Sequence, residues 1–247
     1  MRQSIPPITK NLIIINILFF FATFVFETKG IDLSVILGAF YPESPNFNPW
    51  QIVSHMFMHG GFSHILFNMF ALWMFGSVVE QTFGAKKFII LYFLAGLGGF
   101  FLFNLTNFFQ VEQLKEAVQS QGIPFSELYE YSKLNLQGVL SNLPENFRSS
   151  QEGIDLINFF RTPMVGASGA IYGLLIAFAV LYPDEKLMLI FFPVPVKAKY
   201  FIPALVIIEF IMGLKDVGNI AHFAHLGGGL IGFLLARKWK RNLYRRN

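Results

Sequence analysis

Six predominantly apolar stretches punctuate the chain, near Asn11–Thr28, Ser63–Thr82, Lys87–Asn104, Gly166–Tyr182, Tyr200–Gly213 and Ile220–Ala236. A helix needs roughly 20 apolar residues to cross about 30 Å of hydrocarbon, so each stretch is predicted as a transmembrane helix. The fifth is short and is expected to draw on residues before Pro203. The first is not read as a cleaved signal peptide, because no small-residue cleavage site follows it and further spans do. Two stretches depart from this pattern. Residues 31–51, with Pro42, Pro45 and Pro49, read as an irregular loop. Residues 105–162 are polar and far longer than the usual connection. Within them Val111, Leu114 and Val118 are spaced like one amphipathic helix lying at the interface. The predicted fold is an all-α polytopic membrane protein: one domain over residues 1–247, with an insert at about 105–162 between helices three and four and a basic tail at 237–247.

Composition sharpens this reading. Of 247 residues 54% are hydrophobic and 14% charged, against about 45–50% and about 25% in soluble globular domains. Too few charges remain to wet a globular surface, which excludes a soluble enzyme, a disordered chain and a nucleic-acid-binding module. Cysteine is absent, so disulfides, thiolate chemistry and Cys-ligated metals are excluded as well. The net charge of +4 bears on orientation. Six spans put both termini on one side, and thirteen of the nineteen Lys and Arg fall there, among them Lys10, Lys86, Lys87, Lys186, Lys197, Lys199 and the tail from Arg237 to Arg246. By the positive-inside rule both termini are cytoplasmic, and the acid-rich 105–162 segment is extracytoplasmic.

Ionisable and polar groups within spans are costly and mark function by default. In "HILFN", His64 and Asn68 are i, i+4 and share a helix face. Such a pair can hold a developing oxyanion, or can glue helices together by hydrogen bonds. "GASG", Gly166–Gly169, opens the fourth span with Ser168. A serine there is commonly an N-cap, yet the unpaired backbone N–H groups and positive dipole end of a helix start would also serve a serine nucleophile. "AHFAHLGGGLIG" puts His225 on one stripe with Gly228 and Gly232, and small-residue stripes mark close helix contact in membranes. Packed on Gly169 and Gly173, that stripe would bring His225 beside Ser168. Depth agrees: at 1.5 Å per residue Ser168 lies about 21 Å from Tyr182 at the span's far end, His225 about 18 Å from Arg237, and Asn68 and His64 about 18 and 24 Å from Glu80. His222 matches about as well as His225. Glu209, well inside the fifth span, reads as a hydrogen-bonded structural residue and is left out of the site.

With these residues in place, the chain resembles the rhomboid intramembrane serine proteases. The match runs from "WQIVSHMFMH" through "HILFN" and "GASG", with Tyr172 four residues after Ser168, to "AHLGG" and Gly232. The resemblance implies a six-helix bundle whose Ser–His dyad, with no third acid, cleaves transmembrane segments of single-span or polytopic membrane proteins near their outer ends. It implies Ser168 as nucleophile, His225 as general base, and His64, Asn68 and the Ser168 backbone N–H as oxyanion donors. Tyr172 packs on the His225 ring, Gly166 is the small residue of the serine motif, and Gly228 and Gly232 form the packing stripe. The same resemblance places the base in "AHLGG", leaving His222 a turn nearer the outer surface, beside cavity water or the cap of the fifth span. The expected surroundings are a lipid bilayer, specifically a prokaryotic inner membrane, with no cofactor, no metal and no nucleic acid. Gln51 replaces the arginine common in the family's Trp-Arg pair, which bears on the rigidity of the first loop. Two rivals remain. One is a histidine-ligated metal transporter or metalloprotease using His55 with His59 and His222 with His225, although no HExxH occurs and "GASG" would have no role. The other is a non-catalytic rhomboid-like protein that binds clients, although such relatives typically lose the serine or histidine.

Overall fold

The computed structural model of the chain describes residues 4–134, 143–189, 192–215 and 221–244. Arg2, Arg245 and Arg246 of the basic termini, and Ile220 at the predicted start of the sixth span, lie outside the described residues. Six long helices follow the six apolar stretches in order: α1 (Pro7–Glu27), α2 (Phe62–Phe83), α3 (Ala85–Ser120), α4 (Ser168–Leu181), α5 (Ala198–Leu214) and α6 (His222–Tyr244). By length and composition, α1, α2 and α3 suffice to cross a membrane, while α4 is apolar but shorter. Leu18, Phe21 and Val25 of α1 and Phe101 and Phe109 of α3 face outward and exposed. A contiguous apolar exterior of this kind fits lipid rather than water.

Local chemistry explains where the helices start and stop. Pro7 opens α1, where its missing N–H costs nothing. The next donors, the backbone N–H groups of Ile8 and Thr9, are capped by the buried Glu80 carboxylate of α2 at 3.0 and 2.7 Å. A negative charge at a helix N-terminus is favoured by the dipole, so Glu80 ties α1 to α2. At the opposite pole of α4, Lys240 Nζ donates to the Val180 carbonyl at 2.7 Å, taking up one of the unpaired last-turn acceptors. Pro203 sits inside α5, close enough to its start at Ala198 to interrupt little of the ladder.

Helices α3, α4 and α6 form the centre. A Cβ added to Gly228 of α6 would fall on the carbonyl of Gly169 in α4, and one added to Gly232 would fall on the carbonyl of Gly173. On the other flank, Gly98 and Gly99 of α3 meet Gly227 and Ala224 of α6 in the same way. Backbones in such contact leave no room for any side chain, which is how the small residues fix the helix positions. A hairpin of β1 (Lys186–Leu189) and β2 (Phe192–Lys197) joins α4 to α5, with Lys186 opposite Lys197.

The long polar segment differs from its prediction. Rather than ending near Asn104, α3 runs on to Ser120, so Val111, Leu114 and Val118 belong to that helix and not to a separate interfacial one. Val111 and Val118 are fully buried in a second, smaller core with Tyr41, Leu128, Phe147, Leu156 and Phe160. Short helices at Phe125–Tyr131, Glu145–Arg148 and Gln151–Arg161 supply Leu128, Phe147, Leu156 and Phe160. Asn46 stitches this core to the first loop, donating to the Ser132 carbonyl at 2.8 Å and accepting from the Leu134 N–H at 3.0 Å.

Candidate active site

The serine motif is shaped by two glycine requirements. Gly166 has φ +128°, a conformation that L side chains rarely adopt. A Cβ there would also press on the His64 ring at 2.9 Å. The Gly166 N–H donates to the His55 carbonyl at 2.9 Å, which anchors the turn against the first loop. The chain then enters α4 with Ser168 as its first helical residue. Being in the first turn, the Ser168 N–H has no intrahelical acceptor.

His225, from α6, places Nε2 at 2.9 Å from Ser168 Oγ. Its ring lies flat on Tyr172, one turn along α4 from Ser168, with centroids 4.2 Å apart and planes 3° from parallel. Of the two histidines that depth arithmetic left level, His225 is the one hydrogen-bonded to the serine, while His222 bonds Glu209 of α5. Of the two surroundings expected for it, cavity water and the cap of the fifth span, His222 is absent from the cavity lining and packs against the fifth helix beside Gly213. Its ring is buried and Nδ1 lies 2.6 Å from Glu209 Oε2. The same carboxylate oxygen lies 3.0 Å from His225 Nδ1, and Oε1 accepts from the Tyr172 hydroxyl. Glu209 therefore sits behind the serine and histidine, in contact with both histidines and the tyrosine. Sequence reasoning set it aside as structural, although one signal was present: it is the acid placed well inside an apolar span.

His64, Asn68, Ser168, Tyr172 and His225 line one cavity of about 820 Å³. Asn68 is buried, and its Nδ2 has no hydrogen-bond partner among the described residues. His64 Nδ1 accepts a long 3.4 Å bond from the Gly60 N–H, which leaves the proton of a neutral ring on Nε2. The unpartnered Asn68 amide and the His64 ring thus share one cavity with Ser168. The second core supplies part of the wall through Tyr41 and Phe159. Burial, and after it the Glu43 carboxylate, hold the Tyr41 phenol above its ordinary range, so it stays neutral.

The first loop is held by Gln51. Its buried side chain accepts from the Asn48 N–H at 3.0 Å and donates to the Asn46 and Ile36 carbonyls at 3.3 and 3.4 Å. A neutral amide with both donors and acceptors thus pins the loop from which the usual arginine is missing. The His55–His59 spacing that the rival metal reading would need is not carried on one helix. The 3₁₀ turn from His55 ends at Phe57 and Met58 is extended, so the two rings never share a helix face. His55 Nδ1 instead bonds the Gln51 carbonyl at 2.8 Å, and His59 packs edge-on against His64. Glu209, His222 and His225 offer ligand atoms within 4.8 Å of one another, but each is already engaged in the hydrogen bonds just described.

Comparison with protein-family models finds the rhomboid domain over residues 46–111 and 134–241. The chain belongs to the rhomboid family. The unmatched stretch, 112–133, falls within the segment predicted as an insert. Among rhomboid relatives the chain is similar to an uncharacterized mitochondrial rhomboid protein of Schizosaccharomyces pombe, with 30% identity over 215 residues, covering 78% of this chain and 52% of that protein. It is similar to the mitochondrial rhomboid protein 1 of Saccharomyces cerevisiae, with 28% identity over 184 residues and 74% and 40% coverage. It is also similar to the rhomboid protease GlpG of Klebsiella pneumoniae, with 30% identity over 99 residues and 39% and 34% coverage. The chain thus spans about half, or less, of the length of these relatives. The rhomboid family includes serine proteases, and its members act in membranes. The prokaryotic inner membrane expected from the sequence does not stand beside two relatives named as mitochondrial; what stands is a membrane protein.

Proposed function

We propose that this rhomboid is a serine endopeptidase that hydrolyses peptide bonds in the transmembrane segments of other membrane proteins. The observation that carries the reading is the 2.9 Å approach of His225 Nε2 to Ser168 Oγ at the wall of a cavity that also holds the unpartnered Asn68 amide. Serine is a poor nucleophile until an adjacent base removes its proton. In the first step Ser168 Oγ bonds to the scissile carbonyl carbon while its proton passes to His225 Nε2. The carbonyl electron pair moves onto oxygen, where Asn68 Nδ2, His64 Nε2 and the Ser168 N–H can donate to it. The imidazolium then gives that proton to the departing nitrogen as the C–N bond breaks, leaving an acyl-serine. Water repeats the sequence: its proton goes to His225, its oxygen to the acyl carbon, and Ser168 leaves with its proton restored.

The same reading includes the topology. All six helices span the bilayer, both termini lie on the positively charged side, and the second core lies on the other side, where it walls the cavity through which water enters.

Detergent-purified protein incubated with a model single-span substrate tests the function. Ser168→Ala and His225→Ala are expected to lose activity by about 10⁶-fold, as when either member of such a pair is removed, while melting like the parent. Client binding without cleavage predicts no turnover in any variant. Undiminished turnover in Ser168→Ala would refute the nucleophile.

A further inference from the structure

We infer that Glu209 is a positioning residue for His225, converting the expected dyad into a Ser168–His225–Glu209 relay; the inference rests on the proposed roles of Ser168 and His225. An ionised carboxylate can only accept hydrogen bonds. The Nδ1 atoms of His222 and His225, at 2.6 and 3.0 Å from Glu209 Oε2, must then both carry protons. A neutral imidazole protonated at Nδ1 keeps its lone pair on Nε2. That is the atom 2.9 Å from Ser168 Oγ. The carboxylate therefore selects the one neutral tautomer of His225 that can take the serine proton.

Three further contacts keep the arrangement in place. Tyr172 stacks on the face of the His225 ring while its hydroxyl donates to Glu209 Oε1, so the ring is fixed by face and by edge through one network. His222 takes the other bond to Oε2 and stops the carboxylate rotating away. A carboxylate at membrane depth is expensive unless fully bonded, and three donors meet it. When Ser168 attacks, His225 becomes cationic, and the anion on its Nδ1 side opposes that charge where little water competes. A purely structural Glu209 would bind the helices but would have no reason to meet both the base and the tyrosine stacked on it.

The test uses full-length protein in detergent with the single-span substrate, and fluorophosphonate labelling of Ser168 as a readout that needs no protein substrate. Glu209→Gln can keep the shape of the network but loses the charge. Replacing the orienting carboxylate by its amide costs about 10⁴-fold in kcat in a serine protease triad, and a loss of about 10²–10⁴-fold is expected here. KM should stay unchanged, labelling should slow in step, and Glu209→Asp should recover part of the loss. Wild-type kcat in Glu209→Gln, or a loss that follows only the unfolded fraction, would overturn the inference. A stoichiometric divalent metal lost on Glu209→Gln would overturn it too, since the carboxylate would then be a ligand. If Glu209→Gln fails to fold, proton NMR of the parent decides: a downfield imidazole N–H signal that disappears in His225→Ala supports the bond, and its absence refutes it. Cleavage that survives Ser168→Ala would instead refute the nucleophile itself, whatever Glu209 does.

Discussion

Asn68 lies within the membrane-depth part of α2 with a buried amide donor that finds no acceptor among the described residues. A buried donor left unpaired costs about 1–3 kcal/mol, a cost that a structural asparagine would have no reason to carry. It is offset if the acceptor arrives only with the substrate, as the oxygen that becomes negative during attack. Asn68→Ala is therefore expected to lower kcat about 10²–10³-fold, the usual effect of losing one oxyanion donor, and to leave stability unchanged or slightly raised. An unchanged kcat with lowered melting temperature would assign Asn68 to packing instead. Ser168, His225, His64 and Asn68, which line one cavity, could be brought together from the sequence because short motifs on helices of known rise can be aligned in depth by residue number alone, whereas Tyr172 came only with the family resemblance. Glu209 was not placed with them, because its partners come from two other helices and depth alone says nothing of azimuth. The same gap kept depth from separating His222 from His225, and the preference for His225 rested on its glycine stripe and on the family's "AHLGG".

Among the described residues each apolar stretch coincides with a long helix, three of them long and apolar enough to cross a membrane, and hydropathy failed at the one that outlasts its apolar stretch. Beyond Asn104, α3 continues on strong helix formers, including Gln110, Glu112, Leu114, Lys115, Glu116 and Ala117. Its buried face there is set by a second core assembled from distant segments, which no local window contains. The π turn at Leu72–Gly76 within α2 likewise has no signature in the sequence. The glycine stripes, by contrast, were readable and have a measurable consequence. A methyl group at Gly228 would fall on the backbone of Gly169 and close on that of Ala95, and backbone cannot yield as a side-chain end can. Gly228→Ala is expected to destabilise the fold by about 1–3 kcal/mol or more, the usual range for overpacking, and to separate Ser168 from His225. Gly61→Ala is the matched control, since nothing lies within 4 Å of its added Cβ. Equal melting temperatures for the two variants would show that α4 and α6 do not meet at this point.

At the scale of the whole molecule, the distribution of charge and the two cores make one topological claim. The hairpin between α4 and α5 carries Lys186 and Lys197, and the first turn of α5 carries Lys199; Lys197 and Lys199 pair with Asp184 at 3.0 and 2.8 Å. Those two ammonium groups, Lys199 first, hold the Asp184 carboxyl below its ordinary range, so the acid stays ionised and partly offsets the hairpin's positive charge. The tail from Arg237 and the turn at Lys86 and Lys87 still leave that end of the bundle strongly basic. The opposite end carries the second core with its acids, Glu112, Glu127, Glu130, Glu152 and Asp155 among them. Positive charge resists translocation and acids matter little to it, so the second core should face away from the compartment that holds the hairpin. The absence of cysteine makes this directly measurable. Ser132, in the middle of the polar segment, is a poor reporter because it is fully buried. Ser126 is exposed on the short helix at Phe125–Tyr131, and Glu185 is exposed beside the hairpin. In intact bacterial cells expressing the chain, Ser126→Cys should react with a membrane-impermeant maleimide before lysis, and Glu185→Cys only after it. The reverse pattern would invert the molecule in the membrane. Labelling of both before lysis would mean that α4 does not cross between them, placing the cavity mouth and the basic hairpin on one face and removing the reason for water to enter from the side of the second core.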